Sequence, residues 1–312
     1  MNNLTKRIIT GAVFGAVMIG GIWWNEYSYL VLFSIIIVGC LWEYVKLMNT
    51  FFQNEKLSFS DIYIVVLSLG LFVAIWFAMG YDQDPIVKNP VIGYWGENEN
   101  VSVSQGFYFL GIGFIPLLLL TFIFTLFEKN ENGFMRSAFL VSGAIYITLS
   151  LMLGIILTLA IKKIQIEYAN ETVKYYSSYR PHLLLGTLFV IWANDTFAYF
   201  VGSLIGKHKL FERISPKKTW EGFFGGAIGA IAVGWIISTQ WKIVDTKDWL
   251  IISAIIVIFA TLGDLIESML KRNMGVKDSG NILPGHGGFL DRFDALIFSI
   301  PFVTAYVLLF AK

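Results

Sequence analysis

Apolar and polar residues follow one another along this chain in long blocks. Nine mainly apolar blocks lie near 8–24, 28–47, 61–81, 107–127, 137–161, 183–205, 222–240, 249–270 and 293–311. A bilayer core about 30 Å thick needs roughly 20 apolar residues per helix, and these blocks match that length. Backbone in hydrocarbon must satisfy its own hydrogen bonds, and the two-residue alternation is far too weak for a barrel, so the blocks predict helices. The expected fold class is an all-α polytopic membrane protein with about nine transmembrane helices. Residues 1–182 would hold five spans, and residues 183–312 four spans around a polar cavity. Two linkers, 82–106 and 162–182, are polar enough to be solvated loops and too short to be separate domains.

Composition agrees. Of 312 residues, 56% are hydrophobic and 14% charged, where a soluble domain carries about a quarter charged residues. The net charge of +1 gives no bulk electrostatic reason to bind nucleic acid. Cys40, the single cysteine, cannot form an intrachain disulfide. The first block follows Lys6 and Arg7 without a small-residue cleavage site and reads as a retained span. The N-terminus and the segments 46–60, 128–136, 206–221 and 271–292 hold 15 of the 23 Lys and Arg, which places them in the cytoplasm by the positive-inside rule.

Ionisable residues inside apolar helices are costly and usually face a bundle interior or a watery cavity. In IWANDTFAYFVGSLIGK (191–207), Asn194 and Asp195 fall mid-span, and Asp195, Tyr199, Gly202 and Gly206 share one helical stripe. A packing hydrogen bond would explain the pair; a bound cation explains the carboxylate better, because an unpaired one in lipid would take up a proton. In ATLGDLIESMLKR (260–272), Asp264, Glu267, Ser268 and Lys271 share a face. An interfacial ion pair accounts for Glu267 and Lys271 but leaves Asp264 unexplained. GKHKLFERISPKKTWEGFFGG (206–226) carries five basic residues, among them Lys217 and Lys218. It then enters a helix whose Gly222, Gly225, Gly226 and Gly229 either allow close helix approach or clear space for a substrate.

The stretch KRNMGVKDSGNILPGHGGFLDRFD (271–294) sets Gly280, Gly285, Gly287 and Gly288 beside His286, Asp291, Arg292 and Asp294. Its glycines permit positive φ and let a ligand approach the backbone. Asp291 and Asp294 share one face as the last helix begins, where carboxylates also serve as caps. His286 alone could be an exposed loop histidine. Carboxylates for a divalent metal and cations for phosphate, beside a bilayer, describe an enzyme acting on a phosphorylated lipid. A transporter using its carboxylates for ion coupling is the competing class, though no internal symmetry supports it.

The run SMLKRNMGVKDSGNILPGHGGFLDRFD (268–294) resembles the signature of the phosphatidate cytidylyltransferases, the CDP-diacylglycerol synthases. Ser268, Lys271, Arg272, Lys277, Asp278, Gly280, Pro284, His286, Gly287, Gly288, Asp291, Arg292 and Asp294 fall on its positions. NDTFAYFVG and ISPKKTWEG, within 194–222, are similar to a second block. The resemblance is strong over about 190–300 and weak before it. It implies that CTP and phosphatidate yield CDP-diacylglycerol and pyrophosphate at the cytoplasmic face of the plasma (inner) membrane. It also implies Mg²⁺ and K⁺ on Asp264 and Asp291, with Asp195 and Asp294 supporting the metal shell. Lys217, Lys218, Lys271, Arg272, Lys277 and Arg292 become candidates for phosphate contacts, and Ser268, Asp278, Gly287 and Gly288 for the substrate site. His286 would bind phosphate or stabilise the leaving pyrophosphate. Many members carry a basic residue where this chain has Ser203, which leaves that contact without a counterpart. The five N-terminal spans would form either a substrate groove or the surface of a homodimer.

Overall fold

The computed structural model describes residues 3–52, 57–78, 115–128, 132–165, 173–280 and 287–311. His286 and the linker 82–106 lie outside them. The described chain is helical apart from two short hairpins. Its helices are α1 (Asn3–Trp23), α2 (Glu26–Phe51), α3 (Phe59–Ala78), α4 (Ile115–Leu126), α5 (Gly133–Ile156), α6 (His182–Ile205), α7 (Trp220–Gln240), α8 (Thr246–Asn273) and α9 (Leu290–Leu309). Seven of these, α2, α3 and α5 to α9, are long and apolar enough to cross a membrane. The described apolar parts of α1 and α4 are shorter. Large apolar side chains such as Phe77, Ile228 and Leu309 face outward, as a lipid solvent allows.

The described parts of the linker 162–182 are not irregular loop. Helix α5 ends at Ile156, and β1 (Leu159–Gln165) pairs antiparallel with β2 (Val173–Tyr179), in register from Leu159 opposite Tyr179 to Gln165 opposite Val173. The β-branched and aromatic residues in LAIKKIQ and VKYYSSY favour strands, and the lysines interleaved among them gave the stretch its loop-like polarity. A smaller hairpin, β3 (Lys209–Phe211) with β4 (Ser215–Thr219), folds the basic segment between α6 and α7. Glu221 anchors it by accepting hydrogen bonds from the Lys207 amide (3.1 Å) and the His208 amide (3.2 Å).

Small residues set the helix contacts, as they do where no hydrophobic force drives association in lipid. Gly222, Gly225, Gly226 and Gly229 bring α7 against α6: a Cβ on Gly226 would lie 2.8 Å from the Asn194 carbonyl oxygen, and one on Gly229 would enter the Phe197 ring. Close packing holds along this stripe, and Gly222 lines the cavity as well. Gly186 seats Trp249 of α8 against α6. Gly263 seats α9, which also stacks Phe302 on Phe259 of α8, 3.5 Å between ring centres. Helix α1 leans on this bundle through Phe14, which touches both Trp192 and Phe293. Helix α5 is interrupted by a π-helical turn over Ala144–Leu149, just after Gly143 receives the Tyr44 ring of α2.

Candidate active site

Close packing of α6 through α9 leaves a cavity of about 1390 Å³, walled by those helices, α1 and the β3–β4 hairpin. Each helix brings the polar stripe that its sequence carries. From α6 come Asp195, Tyr199 and Gly202, which share one face, with Gly206 just past the end of the helix. Asp195 keeps an accessible surface in mid-span because the cavity reaches it. From α8 come Asp264, Glu267 and Lys271; from α9, Asp291, Arg292 and Asp294. Lys217 and Lys218 enter from β4, and Lys277, Asp278 and Gly287 from the segments before α9. The cavity also has apolar and small lining residues, Gly11, Phe14, Gly15, Ile191, Trp192 and Phe223 among them.

Charge is arranged in pairs. Lys218 Nζ lies 2.6 Å from Asp264 Oδ2, and Ser268 Oγ donates to Asp264 Oδ1 at 3.2 Å. Lys271 Nζ bridges Glu267 and Asp291, 2.5 Å from each. Asp291 also accepts the amides of Ser279 (3.0 Å) and Gly288 (2.8 Å) on Oδ2. That grip explains why Gly287, at φ +79°, must be glycine: the turn is left-handed, and a Cβ would meet the Asp291 carboxylate 2.5 Å away. Asp195, Asp264 and Asp294, from three different helices, face the same cavity. Asp294 is buried and accepts the amide of Ala295 at 2.7 Å.

Most residues expected at the site therefore share one cavity. Arg272 does not line it: its guanidinium donates to the Val276 carbonyl at 3.1 Å and closes the turn after α8. Ser268 acts on Asp264, and Gly288 on Asp291, rather than on the open space. Ser203 lines the wall and donates to the Phe200 carbonyl at 2.9 Å. The wall carries six basic side chains, Lys209 included, against six acidic ones, so it is formally balanced. Among the described residues, no three His, Cys, Asp or Glu side chains form a metal site by themselves. The donors fit Mg²⁺ all the same, since it usually takes one or two carboxylates and fills its shell with phosphate oxygens and water.

A residue that sequence reasoning passed over completes the picture. Glu43 of α2 is 2% exposed and accepts the amides of Phe289 (2.9 Å) and Leu290 (3.0 Å) and the hydroxyl of Ser279 (2.7 Å). It is the one acidic residue of the apolar block 28–47, three positions before Lys46, and the criterion that found Asp195 would have found it.

Against known proteins, the chain matches the model of the cytidylyltransferase family over residues 5–310. It is 38% identical over 194 residues to a phosphatidate cytidylyltransferase of Staphylococcus epidermidis, covering 62% of this chain and 67% of that protein. For the protein of the same name from Staphylococcus haemolyticus the identity is 37% over 209 residues, 64% and 72% of the two chains. For that of Bacillus subtilis it is 40% over 199 residues, 64% and 67%.

Proposed function

The chain belongs to the cytidylyltransferase family, and on that premise we propose that it transfers CMP from CTP to phosphatidate, giving CDP-diacylglycerol and pyrophosphate. The observation that carries this reading is a single cavity lined both by paired carboxylates and lysines and by apolar side chains. A phosphorylated lipid needs both kinds of wall. An oxygen of the phosphatidate phosphate attacks the α-phosphorus of CTP; the new P–O bond forms as the bond to the β-phosphate oxygen breaks, and pyrophosphate leaves.

Phosphoryl-type transfer asks mainly for positioning and charge stabilisation. Lys217, Lys218, Lys277 and Arg292 receive the triphosphate and the lipid phosphate. Lys271, held between Glu267 and Asp291, keeps Asp291 in place. Because basic and acidic residues of the wall cancel, a polyphosphate substrate brings negative charge that the protein alone does not match. Asp264 and Asp291 would hold Mg²⁺, with K⁺ beside it and Asp195 and Asp294 in its surroundings; when bound, it supplies the missing positive charge at the phosphates. The reading extends to topology: nine crossings in the plasma (inner) membrane, with the N-terminus and the site on the cytoplasmic side. The basic segments support it, since they hold 15 of the 23 Lys and Arg.

The test is pyrophosphate release from CTP by the purified protein in lipid-doped micelles. Release should require both phosphatidate and Mg²⁺, stop with EDTA, and match CDP-diacylglycerol formed one to one. Release without a lipid acceptor, or a different lipid product from a panel of polyisoprenyl and diacylglycerol acceptors, would overturn the assignment.

A further inference from the structure

We infer that Glu43 is a positioning residue for the transfer reaction, holding from α2 the two chain segments that present Asp291. The inference deepens the reading of the site given above and rests on it. A carboxylate buried in an apolar helix is costly unless its oxygens are well supplied with donors. Glu43 obtains three, and all lie between 236 and 247 residues away in sequence. They come from two separate segments: Ser279, after α8, and Phe289 with Leu290, at the start of α9.

The same segments serve Asp291 from the other side. The Ser279 amide donates to Asp291 while the Ser279 hydroxyl donates to Glu43. The Gly288 amide donates to Asp291 while the next two amides donate to Glu43. The backbone at 279 and 288–290 is thus gripped between two carboxylates, one lining the cavity and one beneath it. The glycines of the signature record this grip. A Cβ on Gly280 would lie 2.8 Å from the Glu43 carboxyl carbon, and one on Gly288 2.6 Å from it. A Cβ on Gly39, one helical turn before Glu43, would lie 2.8 Å from the Phe289 ring. Gly280 and Gly288 make room for Glu43 rather than for a ligand.

A simple N-cap for α9 would need only a short polar side chain next to the helix. It would not reach Ser279, nor require glycine at 280. Misplacement of a reacting group by about 1 Å can cost on the order of a hundredfold in rate, and releasing this grip should displace Asp291 on that scale.

The test compares wild type with Glu43→Gln, which keeps size and burial but removes one acceptor oxygen and turns an amide donor toward a backbone N–H. Hydrogen exchange should quicken by about tenfold or more at Ser279, Phe289 and Leu290, while α2 and α3 keep their protection. Turnover should fall about a hundredfold with KM for CTP changed by less than about threefold. If Glu43→Gln does not purify, Ser279→Ala removes a single bond and should quicken exchange at Phe289 and Leu290 by a smaller factor. In a double-mutant cycle, Gly280→Ala should lower turnover in the wild-type background but add less than about twofold to Glu43→Ala, since the clash is gone. Wild-type exchange at these amides, faster exchange spread through α2 and α3, or multiplying losses in the cycle would each overturn the role. The exchange measurement needs no substrate. A wild type that makes no CDP-diacylglycerol would therefore sink the reaction and leave the grip to be judged by exchange alone.

Discussion

Two clusters of charge lie among the helices of this protein, and they are built to opposite plans. In the N-terminal half, Arg136 is fully buried and donates to Asp61 (2.5 Å), Glu128 (2.5 Å), Ser58 (2.7 Å) and Ser60 (3.2 Å). The other carboxylate oxygens are taken too: Asp61 Oδ2 by Asn49 and the Ser58 amide, Glu128 Oε1 by the Ser60 amide. Every oxygen of both acids has a donor. In the C-terminal half Asp264 and Asp291 have a donor on every oxygen as well, but they share one open cavity with Asp195 and Asp294, and Asp195 keeps an accessible surface. Buried charge among spans is therefore not enough to mark a site. A network closed on its own side chains binds the protein to itself, whereas carboxylates and lysines ranged around a cavity can exchange those partners for a cation and a substrate.

The widest separation between the clusters should appear on neutralising a single acid. Asp264→Asn and Asp291→Asn should each lower pyrophosphate release about a thousandfold, with thermal unfolding in detergent little changed; activity near wild type in both would erase the distinction. The converse holds for Arg136→Met. It leaves Asp61 buried without its partner and should cost about 3–5 kcal/mol of stability, read from denaturant unfolding, while the folded fraction keeps its turnover number. A turnover number reduced as far as in the aspartate variants would make both clusters catalytic. A smaller loss tests the packing that shapes the cavity. Gly226→Ala would press on the Asn194 carbonyl next to Asp195 and should cost about 1–3 kcal/mol, visible as a lower unfolding midpoint. The smallest effect belongs to the exposed rim: Ser203→Lys should lower KM for CTP by no more than about threefold, because exposed charges act weakly.

Much of this architecture was legible. The length of an apolar block is dictated by the bilayer, so the block 183–205 became His182–Ile205 and 222–240 became Trp220–Gln240. The stripe of Asp195, Tyr199 and Gly202 and the face of Asp264, Glu267 and Lys271 follow from helical periodicity, and both line the cavity; Gly206 lines it too, from beyond the end of α6. Less visible were contacts between distant segments. Arg136 and Asp61 fall at the ends of apolar blocks, where single charges look like ordinary interfacial residues. Their pairing is a fact of how α3 and α5 cross. Strands β1 and β2 were hidden because LAIKKIQ and VKYYSSY carry their polar residues side by side, as Lys-Lys and Ser-Ser, and lack the alternation that marks a strand. The signature glycines were read for the ligand they could admit; the side chain that fills the space at Gly280 and Gly288 comes from α2, and no local pattern announces it.

The reach of Glu43 across the chain also bears on how the protein is made. Its first partner in sequence, Ser279, follows it by 236 residues. At about 5–20 residues per second, a ribosome needs roughly 10–50 s to bring that partner out. During this interval α2 enters the bilayer carrying an acid whose native donors do not yet exist. Helix α9 thus relieves α2 long after α2 is made, and this contact is a delayed closure rather than the simple addition of one more span.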